Sequence, residues 1–139
     1  MVTWVLAERS TPEQIHLLRL AQFETKFSFE RNHERLHIIW SFRSASNNAP
    51  SDADLLEMSA FENLLCDQLE ALNIGQLVVV FTLPGYREYV FHTNSTNAFM
   101  KTLNSLPDQT HQFPIEIHCE SDANGEFYNS YANGVLGTS

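Results

Sequence analysis

The chain has 139 residues, of which 8 are basic and 17 acidic, for a formal net charge of −9. Hydrophobic residues make up 43%, too many for a disordered chain, and the longest apolar run is far short of a membrane span. The acidic balance disfavours nucleic acid and anionic membrane as direct partners, because phosphate binding draws on clustered Lys and Arg; a basic protein partner suits it better.

The length sets a single domain, residues 1–139, as the expectation. Met1-Val2-Thr3-Trp4 lacks the basic start and apolar core of a secretory signal, so a cytoplasmic location is expected. The two cysteines, Cys66 and Cys119, form no Cys-x-x-Cys motif and read as free thiols.

Residues 2–7 suit a short strand carrying Trp4. Thr11-Pro12-Glu13-Gln14 has the form of a helix start, with Thr11 as cap and Gln14 closing a capping box. Ile15 to Leu20 can equally run extended, so residues 12–22 stay open between helix and strand. Leu36, Ile38, Trp40 and Phe42 alternate with His37, Ile39, Ser41 and Arg43, which is a strand. After a polar loop, Ser51 caps a helix whose apolar stripe, Leu55, Met58, Phe61, Leu65, Leu69 and Leu72, is expected to pack in the core, with Gly75 at its C-terminal cap.

The β-rich runs 76–82 and 86–93 flank Leu83-Pro84-Gly85 and form a hairpin. A short turn there pairs Phe81 with Glu88, Val79 with Val90 and Leu77 with His92. Asn94 or Ser95 caps a second helix bearing Phe99, Leu103 and Leu106, which Pro107 stops. Asn94-Ser95-Thr96 matches a glycosylation acceptor, incidental without a secretory signal. Phe113, Ile115 and Ile117 make a last strand, and Asp122 caps a short helix with Phe127, Tyr128 and Tyr131.

The order over 34–120 is β-α-β-β-α-β, the split ferredoxin-like pattern: an α+β fold with an antiparallel sheet and helices on one face. Residues 1–33 are an N-terminal extension and 121–139 a tail.

His33-Glu34-Arg35-Leu36-His37 is an H-E-x-x-H sequence, which in zinc peptidases lies on a helix so that one turn brings both histidines to the metal. Here it runs into a strand, where four residues span about 13 Å, and the histidines cannot share an ion. Zinc peptidase is therefore the remote alternative, and no metal or cofactor is expected. An EF-hand over 122–126 fails, because Phe127 falls where the loop glycine is required.

A second constellation is spatial. If Leu36, Ile38 and Trp40 face the helices, then His37, Arg43, Glu116 and His118 face away, with Glu88 and His92 beside them. Histidines beside carboxylates suit proton transfer or ligand binding, although alternation alone also puts polar residues on a solvated sheet face. Leu77, Val79, Phe81, Val90 and Ile39 share that face, and so much apolar surface is seldom left bare. The cover is expected from the N-terminal segment, with Trp4, Leu17, Leu18 and Leu20, and from a homodimer.

The pattern resembles the bacterial family called domain of unknown function 695. The likeness rests on Trp4, on Ile39-Trp40-Ser41-Phe42, on Phe61-Glu62-Asn63-Leu64-Leu65, on the hairpin from Phe81 to Phe91, and on the late Asp122 and Tyr128. Gly125-Glu126-Phe127 stands where a tryptophan is often expected in that family. The resemblance implies an α+β domain without established activity, sometimes adjoining a domain similar to regulators of ribonuclease E. The residues then favour a non-catalytic protein-binding or regulatory module. The alternative is an enzyme or small-ligand domain using the His and Glu residues of the sheet face.

Overall fold

The computed structural model describes residues 2–11, 14–23, 26–42, 49–106 and 115–135. The elements are β1 (Val2–Glu8), β2 (Leu17–Phe23), β3 (Glu34–Ser41), α1 (Asp52–Ala71), β4 (Gly75–Leu83), β5 (Tyr86–Thr93), α2 (Thr96–Asn104), β6 (Ile115–Ser121) and α3 (Glu126–Val135). The fold is α+β. One six-stranded sheet runs in the order β1-β2-β4-β5-β3-β6, and every adjacent pair is antiparallel.

Of the segment left open between helix and strand, residues 17–22 belong to the strand β2, residues 14–16 lead into it, and residues 12–13 lie outside the described residues. The Thr11 hydroxyl accepts from the Gln14 amide at 3.1 Å, as at a helix start, but the turn closes the β1–β2 hairpin, with Arg9 N–H donating to the His16 carbonyl at 2.9 Å. The reason is tertiary. β2 fills the place between β1 and β4, where Leu20 and Ala21 are completely buried. Burial of that kind outweighs a local capping signal.

α1 starts as its sequence requires. Asp54 N–H donates to the Ser51 hydroxyl at 3.1 Å, and Ser51 N–H to the Asp54 carboxylate at 3.0 Å. The expected Gly75 cap is corrected. The helix ends at Leu72, which like Leu55 is exposed rather than part of the buried stripe, and Asn73 takes the left-handed conformation (φ 52°). Asn73 N–H bonds to the Glu70 carbonyl at 3.1 Å and Ile74 N–H to that of Leu69 at 3.0 Å, a Schellman ending. Gly75 instead opens β4, where a Cβ would lie 2.8 Å from the His92 carbonyl oxygen.

α1 and α2 cover one face of the sheet. Their core contains Leu36, Ile38, Trp40, Tyr89 and Phe91 against Met58, Phe61, Leu65 and Phe99. Trp40 and Phe61 meet with ring centroids 5.2 Å apart. The hairpin register holds for Phe81↔Glu88 and Val79↔Val90, but Leu77 pairs with Phe91 rather than His92. A bulge between Leu77 and Val79 shifts the register by one residue. Leu77 therefore joins the α1 side, and Val78 replaces it on the other.

That other face has a helix of its own, which corrects the expectation that helices lie on one face only. α3 lays Tyr128 and Ala132 against Leu20, Val78, Val79 and Val90. The segment between β2 and β3 completes the cover with Phe27 and Phe29, whereas Leu18 and Leu20, expected in the cover, lie on β2 within the sheet. Trp4 is not among the cover. Its ring lies under Arg19, 5.0 Å from the guanidinium carbon, and Arg19 reaches Glu62 on α1. No helix among the described residues is long and apolar enough to cross a membrane.

Candidate functional site

Alternation on three strands builds the polar site. On β3, Arg35 and His37 point toward α3, as Leu36 and Ile38 point toward α1. Register brings His92 and Glu120 opposite Arg35, and His118 opposite His37. Asp122 follows directly after β6, where its amide donates to the His33 carbonyl at 2.7 Å.

Arg35 is the hub. Its Nη1 donates to Asp122 Oδ2 at 2.6 Å, its Nη2 donates to Glu120, and its Nε donates to His37 Nε2 at 2.8 Å. Phe127 lies over the guanidinium, 4.7 Å from its carbon to the ring centroid. An arginine has no lone pair to give, so His37 Nε2 must accept. The proton of the imidazole then sits on Nδ1, which donates to Glu88 Oε2 at 2.5 Å. Both ends of His37 are occupied, and Phe127 packs edge-on against it at 4.9 Å.

Asp122 is buried. Burial opposes its charge, but the hydrogen bonds from Arg35 and from the Glu126 and Phe127 amides outweigh that cost and hold its pKa below the ordinary carboxylate value. Those amides, at 2.9 and 3.3 Å, belong to the first turn of α3, so the carboxylate caps the helix as expected. Asp122 thus ties α3 to β3 through Arg35. Tyr128 strengthens the tie by donating its hydroxyl to the Ala21 carbonyl of β2.

His92 is wholly buried between Phe29 and Phe27, at ring distances of 4.8 and 6.3 Å. Its Nδ1 donates to the Asn32 carbonyl at 2.8 Å. Its Nε2 has no hydrogen-bond partner among the described residues and lies 3.8 Å from Asp122 Oδ2. Burial lowers its pKa, against the opposing pull of the Asn32 bond and the Asp122 charge.

The six expected site residues therefore divide. His37 and Glu88 meet directly, and His92 lies beside them around Arg35 and Asp122. Glu116 and His118 pair with each other at 2.7 Å and are exposed on β6. Arg43 lies outside the described residues. Sequence reasoning missed Arg35, Glu120, Asp122 and Phe127. Arg35 shares the parity of His37 on the same strand, and that alternation is the signal that places it on this face. Of that motif, His33 precedes β3 and pairs weakly with Glu34 at 3.4 Å. Among the described residues, no three His, Cys, Asp or Glu side chains stand together as a metal site.

A Glu–His pair is the usual frame of a general base, with the carboxylate orienting the ring. Here the working nitrogen points at Arg35. A shallow depression of about 220 Å³ beside it is lined by Arg35, His37, His118 and Glu120. The cysteines add no nucleophile to this site. Burial pushes the Cys66 thiol up to about 12, and Cys119 approaches Thr96 and Glu34 on the other side of β6.

Residues 14–132 match the model of the Family of unknown function (DUF695). The chain belongs to that family. The DUF695 span begins just before β2 and ends inside α3, so it encloses the clasp formed by Arg35, Asp122 and Tyr128 and leaves β1 outside. No curated protein and no solved structure matches the chain.

Proposed function

We propose that this DUF695 chain is a non-catalytic protein-binding or regulatory module built on a ferredoxin-like unit. The strand run β4-β5-β3-β6, with α1 and α2 as its crossovers on one face, supports that unit over residues 34–120. β1 and β2 extend its sheet, and α3 covers its second face.

One observation carries the binding reading. Arg35, His37, Glu88 and Asp122 are bonded to one another beneath Phe127, whereas α1 leaves a run of apolar side chains open. There Leu56 is 74% exposed, with Leu55 and Leu64 also exposed. Contiguous exposed apolar side chains, unlike single scattered ones, mark contact surfaces. Photo-crosslinking in the cell of origin tests this. A crosslinker at Asn63, on the outer side of α1, is expected to trap a discrete protein, and one at Glu116 is not. Trapping from Glu116 alone, or from neither, overturns the assignment.

The depression beside His37 favours a second reading, a small-ligand site. Ligand-induced NMR shifts confined to His37, His118 and Glu120 are the result that would raise it above the first.

A further inference from the structure

α1 has two apolar stripes. Met58, Phe61, Leu65 and Leu69 are buried against the sheet. Ala53, Leu56, Ala60, Leu64 and Ala71 recur at helical spacing on the side away from it, and all five are exposed. The 20 residues of the helix extend this second stripe over roughly 30 Å. Leucines separated by alanines leave a ridge with shallow gaps, into which the side chains of another helix can pack.

The charge of the same helix is one-sided. It contains Asp52, Asp54, Glu57, Glu62, Asp67 and Glu70, and no Lys, Arg or His. Asp54 is engaged in the capping box, and Glu62 is held by Arg19. Asp52, Asp67 and Glu70 are exposed within or beside the second stripe. No cation of α1 neutralises them.

Resting on the protein-binding reading, we propose that this face receives a basic amphipathic helix of a partner protein. Apolar side chains of that helix would pack between Leu56 and Leu64, and flanking Lys or Arg would meet Asp52, Asp67 and Glu70. A second copy of this chain fits poorly, because it would bring the same carboxylates together without a counter-charge. Phosphate-bearing surfaces, nucleic acid or membrane, are repelled for the same reason.

Binding of fluorescent probe peptides to the full chain tests the proposal. Four helical probes of about 20 residues match the length of α1: an amphipathic Leu/Lys peptide, a scrambled peptide of the same composition, and amphipathic Leu/Gln and Leu/Glu counterparts. The amphipathic Leu/Lys peptide is expected to bind at least tenfold more tightly than the other three. The affinity should fall as salt rises, and Leu56→Ser with Leu64→Ser should weaken it at least tenfold. These substitutions replace exposed side chains, and an unchanged thermal melt verifies that the fold survives. Equal binding of the scrambled peptide, or no effect of the serine pair, overturns the proposal by reducing the effect to bulk charge. Equal binding of the Leu/Gln or Leu/Glu peptide, lost in the serine pair, overturns the basic partner while leaving a binding surface on α1. Self-association of the chain that the serine pair abolishes overturns it in favour of a second copy. No binding by any probe overturns it too, and a crosslink from Asn63 would then keep the broader reading.

Discussion

Replacing Arg35 with methionine should detach α3 from the sheet. Methionine keeps an unbranched apolar stem beneath Phe127, so the change removes charge and hydrogen bonds more than volume. Three donors disappear, to Asp122, His37 and Glu120. The bond to Asp122, whose side chain is only 5% exposed, is worth about 1.5–3 kcal/mol as a charged hydrogen bond. The bond to His37 adds about 0.5–1.5 kcal/mol. Glu120 is 66% exposed, and solvent screening leaves it about 0–1 kcal/mol. These contributions come to roughly 2–5.5 kcal/mol, which spans the cost expected when one partner of a buried pair is removed. Urea denaturation at neutral pH followed by circular dichroism measures it. Arg35→Met with Asp122→Asn should recover about 1 kcal/mol or more, because the orphaned buried charge is gone. In the single variant, the amides of Tyr128 and Ala132 should exchange with solvent before those of β3 and β5. A loss below about 1 kcal/mol, or exchange that stays uniform, would show that the clasp does not hold α3.

Two further outcomes follow from the core and from the buried histidine. Trp40→Ala should cost about 3–5 kcal/mol in the same assay, since Trp40 is 2% exposed and packs on Phe61; an unchanged midpoint would mean that β3 presents its other face to α1. His92 has a folded pKa below its unfolded value, so its contribution is fully present above about pH 6.5 and is lost as the pH falls from there toward the folded pKa. Asp122, also lowered, loses its contribution only below about pH 4. The slope of stability against pH just below about 6.5 should therefore flatten in His92→Asn, and an identical slope in both proteins would locate the dependence elsewhere.

Strand alternation made much of this fold legible. Leu36, Ile38 and Trp40 share parity and the α1 face, and the Ser51 and Ser95 caps begin their helices where the residues suggest. The misreadings have physical causes. The bulge at Val78 inserts one residue, so parity counted from the Pro84-Gly85 turn puts Leu77 on the wrong face. Thr11 and Gln14 bond as a helix cap does, because a tight turn between strands offers the same unsatisfied amide. The place of β2 follows from the open edge of β4, which no local pattern reveals.

The site was legible as a face but not as a set. Parity brought His37, Glu88 and His92 together, because all three point the same way from neighbouring strands. Parity cannot tell which groups on a face are satisfied. That depends on Asp122, which sits 87 positions from Arg35 in sequence and reaches it only after β6 has paired with β3. Once α3 is capped by that same carboxylate, Phe127 is carried over Arg35 and His37, and a face that reads as an open polar surface becomes the underside of a helix. One element, α3, thus shares in covering the apolar half of the face through Tyr128 and Ala132 and occupies its polar half through Phe127.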